Sequence, residues 1–226
     1  MSASRNTLVL LLCALGPSLG TSACALTSKA ELVPVRYFSP ESQMKRPEHP
    51  DGGAAVRVAL TAPPLELRLG RVSSGANLRE RIVYRDAAYE LGYYEELRWT
   101  ERPEAYVRRA LGRSLFEQHG LHRVLTGSAP TLDIEVVAFD DIRLTTGRSA
   151  RVQLRGVLYD DDGALFEDTL TVERPVASGT GAIEDMVAAM AAALDAATEQ
   201  LTAKVESALM ARRAAVTPKK VGVPGP

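Results

Sequence analysis

The chain has 226 residues, 46% hydrophobic, 24% charged and 5% aromatic, a globular composition that excludes a disordered polar tract, a collagen-like repeat and a polytopic membrane protein. Lys and Arg number 27 against 28 Asp and Glu, a formal charge of −1, so no overall basic field favours DNA or RNA. Two cysteines and three histidines are too few for a disulfide framework, and they do not form a Cys/His zinc cluster.

The amino terminus reads as a targeting segment. Arg5 supplies a positive charge, and Thr7 to Leu19 is an apolar run broken by Gly16 and Pro17. That run is shorter than the roughly 20 apolar residues of a spanning helix and has the form of a signal-peptide core. The small residues Thr21, Ser22 and Ala23 then precede Cys24, a pattern that resembles the bacterial lipobox except that Thr21 stands where Leu is usual. The expectation is a lipoprotein signal peptide over 1–23, removed to leave Cys24 as a lipidated first residue whose thiol accepts the diacylglycerol. Cys13 is discarded with the signal, so no intramolecular disulfide can form. Ala25 stands where, by resemblance to enteric sorting rules, an aspartate would retain a lipoprotein at the inner membrane, and the resemblance implies anchorage on the periplasmic face of the outer membrane. The alternative is ordinary cleavage near Ala23, releasing a soluble protein.

Residues 24–64 form a predicted tether. It holds a short strand, Val35 to Phe38, and a Pro-rich loop with Pro40, Pro47, Pro50, Pro63, Pro64 and Gly52-Gly53. From Cys24 to Val35 is eleven residues, at most about 40 Å of extended chain, which keeps the following domain near its membrane. The predicted domain, 65–213, opens with alternation at Leu65, Leu67 and Leu69, the period of a half-buried strand. Ile82–Tyr84 and Tyr89–Tyr94 read as a hairpin around Arg85-Asp86. Thr100 is placed to cap a helix with Pro103 in its first turn and Val107, Ala110, Leu111, Ser114 and Leu115 on one face, ending near Gly120. Alternation around Ile134, Leu154 and Leu170 gives three long antiparallel strands, the last two joined at Asp160–Gly163. An alanine-rich helix runs from Ala182 to about Arg212, with Ile183, Val187, Met190, Leu194, Leu201, Val205 and Leu209 toward the sheet. The tail 214–226 is expected to be disordered. The fold class is therefore α+β, an antiparallel sheet packed by two helices behind a signal peptide and lipidated tether.

No phosphate loop, dinucleotide fingerprint, nucleophile elbow or His-Glu-x-x-His pattern occurs. His119 and His122 flank Gly120 with no third ligand and are read as a solvated helix end. The Asp160–Asp168 acids lack calcium-loop spacing and are read as a hairpin turn. Gly179-Thr180-Gly181 is read as a loop that caps the long helix. The chemistry predicted is thus no enzyme, no catalytic residue, no cofactor and no metal. Arg79, Arg81, Arg85 and Arg98 lie among Tyr84, Tyr89, Tyr93, Tyr94 and Trp99, either an aromatic and cationic interface or paired charges beside a half-exposed core. Tyr84, Arg85, Arg98 and Trp99 are the candidate partner-binding residues.

The same stretch carries a family resemblance. Leu78-Arg-Glu-Arg-Ile-Val-Tyr-Arg85, Tyr94-Glu-Glu-Leu-Arg-Trp99 and Glu104 to Leu115 resemble the ABC-type transport auxiliary lipoproteins, auxiliary components of Mce-type and Pqi-type systems. Arg36-Tyr37-Phe38, Leu67-Arg-Leu-Gly70 and the alanine-rich helix agree with it, while the Pro-rich insertion before Leu65 departs from it. The resemblance implies a non-enzymatic protein that docks a periplasmic Mce-domain protein of an ABC-type lipid transporter, for transfer of phospholipid or sterol between membranes. Self-association is left open. A lipoprotein chaperone or assembly factor for outer-membrane protein or lipopolysaccharide is the alternative.

Overall fold

A computed structural model describes residues 34–41, 63–177 and 182–216. The signal segment, Cys24, most of the Pro-rich loop, Gly179-Thr180-Gly181 and the tail from 217 lie outside the described residues.

Three long strands organise the sheet: β6 (Thr131–Leu144), β7 (Gly147–Asp160) and β8 (Gly163–Pro175), antiparallel in sequence order. The β7–β8 turn forms because Asp160 Oδ1 accepts the N–H groups of Asp162 (2.9 Å) and Gly163 (3.2 Å), while Gly163 takes φ +140°. The other edge of β6 is shared. β2 (Glu66–Ser74) pairs with residues 131–136 and β3 (Arg81–Arg85) with residues 140–142, both parallel to it. A bulge between Val136 and Ala138 separates the two pairings and shifts the alternation of β6. β4 (Gly92–Trp99) pairs antiparallel with β3, the three-residue β1 (Arg36–Phe38) lies parallel on the outside of β4, and β5 (His122–Arg123) lies parallel to β2.

The sheet is therefore mixed, which corrects the expectation of an antiparallel one. Alternation reports which side of a strand is buried but not its direction, and the path from β3 to β6 through β4 and the helical segment after it is the long connection that these parallel neighbours need. Gly92 Cα also lies beside Tyr84, so the second strand of the predicted hairpin starts later than expected and continues to Trp99.

One sheet face carries both helices. α2 (Ile183–Val216) packs on β7 and β8, and its buried stripe runs through Met186, Met190, Leu194, Leu201, Val205 and Leu209. Ile183 and Val187 are only half-buried, so Met186 takes the core position expected of Val187. Gly156 lets the helix approach, since a Cβ there would sit 3.0 Å from Leu201 Cδ1. The helix continues through residues 214–216, which corrects the predicted start of the tail.

α1 (Pro103–Gly112) is capped at Arg102 with no side-chain hydrogen bond. Thr100 is not the cap. Its hydroxyl pairs instead with Tyr106 Oη at 2.7 Å, and Tyr106 Oη also accepts the Glu101 N–H at 3.0 Å. After Gly112 the helix widens into a π turn, Arg113–Gln118, and the His119 N–H bonds to the Ser114 carbonyl at 3.0 Å. Ser114 Oγ lies 2.8 Å from Thr202 Oγ1 and fastens the π turn to α2.

Candidate partner-binding site

β6 places Asp140 and Asp141 side by side in sequence, and both are fully buried. Because neighbouring residues of a strand leave opposite faces, the two carboxylates enter different surroundings. Asp140 Oδ2 accepts Arg85 Nε and Arg151 Nη2, both at 2.7 Å. Asp141 is held on the helix-bearing face: Arg148 donates through Nε and Nη2, each at 2.9 Å, and Tyr94 Oη donates at 2.6 Å. Burying a carboxylate is costly unless charged, hydrogen-bonding partners surround it.

Aromatic rings extend this second cluster. Tyr84 and Tyr94 meet edge to face with centroids 5.1 Å apart, and the Arg143 guanidinium lies 3.6 Å from the Tyr84 centroid. Arg143 is fixed in turn by Asp86, at 2.8 and 2.9 Å. Gly92 makes room for the Tyr84 ring, since a Cβ would fall 2.3 Å from Tyr84 Cζ. Burial, and then the bond to Asp141, push the Tyr94 hydroxyl up to about 12, which keeps it a neutral donor. The bidentate bond to Asp141 raises Arg148 above its ordinary value against the opposing effect of burial. Beside these groups a groove of about 550 Å³ opens, with Leu97, Leu144 and Ile183 as its apolar wall. It combines an apolar wall with two guanidinium groups, Arg143 and Arg148, whose charges are met by Asp86 and Asp141.

The sequence-predicted residues are distributed around this centre. Tyr84 belongs to it. Arg85 comes off the same strand but serves Asp140 on the other face. Arg98 is half-buried, and its Nη1 donates to the carbonyls of Tyr94 (2.9 Å) and Leu97 (3.0 Å). Trp99 is 1% exposed and packs edge to face against Phe139 at 5.3 Å, so it can act on a partner only by holding β4 in place. Tyr37, Tyr89 and Tyr93 are exposed around the same strands.

Asp140, Asp141, Arg143 and Arg148 were not singled out by sequence reasoning. The available signal was an Asp-Asp pair inside an apolar strand, followed by arginines in the antiparallel neighbour. His119 is also not a freely solvated helix end: its Nε2 and Nδ1 meet Glu199 (2.9 Å) and Glu206 (3.1 Å) on α2. In the acidic hairpin Asp160 pairs with Arg212 and Asp168 with Lys204. Among the described residues no cluster of His, Cys, Asp and Glu is suited to hold a metal, and no helix is long and apolar enough to cross a membrane.

Comparison with known proteins gives the chain its place. No curated protein matches it. The crystal structure of protein XCC0632 from Xanthomonas campestris, of family DUF330, superposes with a TM-score of 0.58 at 21% identity, covering 68% of this chain and 92% of that one. A crystal structure of an uncharacterized protein gives 0.53 at 15% identity, covering 63% of this chain and 94% of that one. At these identities the likeness is one of fold. The family model of the ABC-type transport auxiliary lipoprotein component matches residues 50–205, a span that includes the shared strand β6, both clusters and most of α2. The chain belongs to the ABC-type transport auxiliary lipoprotein family.

Proposed function

We propose that the protein is the outer-membrane-anchored auxiliary lipoprotein of an Mce-associated lipid transport system. Lipidated at Cys24 on the periplasmic face, it docks a periplasmic Mce-domain protein so that phospholipid or sterol passes between membranes. The observation that carries this reading is the family match over residues 50–205, joined to the small residues before Cys24. The docking surface of this reading is the end of the sheet at the groove lined by Tyr94, Leu97, Arg143, Arg148 and Ile183, with Tyr84 packed on Tyr94 and Arg143, Arg98 bonded to the Tyr94 and Leu97 carbonyls, and Arg85 and Trp99 positioning β3 and β4. Its role is binding and orientation, and the reading needs no catalytic group.

Affinity purification of the full tagged chain from detergent-solubilised envelopes tests the proposal. An Mce-domain protein should co-purify, and Tyr84→Ala with Arg98→Ala should reduce its recovery about tenfold or more in protein that still shows a cooperative melting transition. Recovery of an outer-membrane assembly machine in place of an Mce protein would overturn the transport reading in favour of the chaperone alternative. Undiminished recovery with the folded double variant would overturn the assignment of the surface.

A further inference from the structure

A second groove lies away from Asp141, between α1 with its π turn and strands β2 and β5, with a volume of about 380 Å³. Its apolar lining is Leu69 and Phe116; Arg108, Arg113 and Arg123 stand around it. Arg109 also borders it, but that charge is offset by Glu41 and Glu101, whose bonds hold Arg109 above its ordinary value.

The remaining cations differ from those at Asp140 and Asp141. Arg108 Nη2 donates to the Gly70 carbonyl at 3.0 Å, and the Arg123 guanidinium lies 5.5 Å from the Phe116 ring centroid. Among the described residues neither is within ion-pair distance of a carboxylate, and Arg113 reaches Glu41 only at 3.7 Å. Glu117 is the acid in the lining, so Arg108, Arg113 and Arg123 leave a local positive excess in a chain whose formal charge is −1. The π turn contributes to the shape. It turns Ser114 and Leu115 into the core while Arg113 and Phe116 line the groove, and such turns recur at functional sites. Gly112 also lines the groove, and a Cβ there would project into open space.

We propose that this groove binds the phosphate headgroup of an anionic phospholipid, with the guanidinium groups of Arg108, Arg113 and Arg123 on the phosphate oxygens and the start of an acyl chain on Leu69 and Phe116. Guanidinium groups match phosphate oxygens in paired hydrogen bonds, and the apolar lining beside them suits an amphiphile better than a free ion. The site deepens the transport reading and rests on it for the source of the phospholipid. Its chemistry can nevertheless be measured on the purified chain with no transporter present, so failure here leaves the co-purification result intact, and the converse holds.

The full chain in a non-ionic detergent is titrated calorimetrically with dihexanoyl phosphatidylglycerol, dihexanoyl phosphatidylcholine, glycerol 1-phosphate and inorganic phosphate. The anionic lipid should bind, and the other three should each bind about tenfold or more weaker. Arg108→Gln with Arg123→Gln should weaken the anionic lipid about tenfold, whereas Arg174→Gln, an exposed arginine on β8, should not. If the double variant lacks a normal melting transition, Arg123→Gln alone is measured, since Arg123 is exposed on a two-residue strand. Absent binding of the anionic lipid, or equal binding by the folded variant, overturns the site. Equal affinity for inorganic phosphate or glycerol 1-phosphate overturns the lipid assignment, and equal affinity for the phosphatidylcholine overturns the charge-based recognition.

Discussion

Asp140 and Asp141 are neighbours in sequence whose energetic surroundings are separate, because one strand divides them. Asp141→Asn keeps the volume and an acceptor for Tyr94 but leaves Arg148 without its carboxylate. Breaking a buried pair from one side costs about 3–5 kcal/mol. Arg148 keeps 22% of its side-chain surface exposed, so a loss near the lower end, about 3 kcal/mol, is expected in urea denaturation. Asp168→Asn, which removes an exposed pairing with Lys204, should hardly move the midpoint. An unchanged midpoint for Asp141→Asn would refute the pairing. This cluster was only partly legible in the sequence. Tyr84 and the arginine-rich stretch stood out by composition, but the partners of Arg148 and Tyr94 depend on a β6–β7 register and a bulge that no local pattern announces. Trp99 had the reverse fate: an aromatic beside Arg98 suggests a surface, and only the sheet shows that β4 ends by delivering it into the core.

Between elements, the contact of the π turn with α2 carries a pH dependence. Burial of the His119 ring opposes protonation, but the hydrogen bonds and charges of Glu199 and Glu206 outweigh it and raise the pKa. With an unfolded value near about 6.5, the stabilisation from protonated His119 is fully present below that pH and is lost as pH rises through the higher folded value. The melting temperature of the native chain should exceed that of His119→Gln by more at about pH 5.5 than at about pH 8.5. A difference independent of pH would mean that His119 acts by packing alone. The elements themselves were well marked where periodicity is long: α2 and the three strands β6, β7 and β8 follow from spacing and an Asp-Gly turn. Strand direction was hidden, as was the π turn, because Arg113–Gln118 has the composition of an ordinary helix and is widened by tertiary bonds from Ser114 and His119.

For the molecule as a whole, the proposed attachment to the membrane depends on one sulfur atom outside the described residues. Cys24→Ser should abolish incorporation of labelled palmitate and shift the protein from the membrane to a soluble or unprocessed fraction, since a serine hydroxyl does not accept the lipid. Equal labelling of the native chain and the variant would refute the anchor.

β1 then acquires a mechanical meaning. It is an edge strand held by three residue pairings to β4 and by the Arg36–Glu184 ion pair, with Glu41 just beyond it paired to Arg109, and it is the first described element after Cys24. Tension between a docked partner and the membrane would load this strand before any other. Peeling it away would leave β2 through β8 and both helices in register, since β1 touches the sheet only at its rim. Once the Glu41–Arg109 pair also parts, the covalent reach from Cys24 would increase from about 40 Å, at Val35, to about 140 Å, at Leu65. A short, weakly seated strand at this position would work as a releasable clasp, setting two lengths for the same leash.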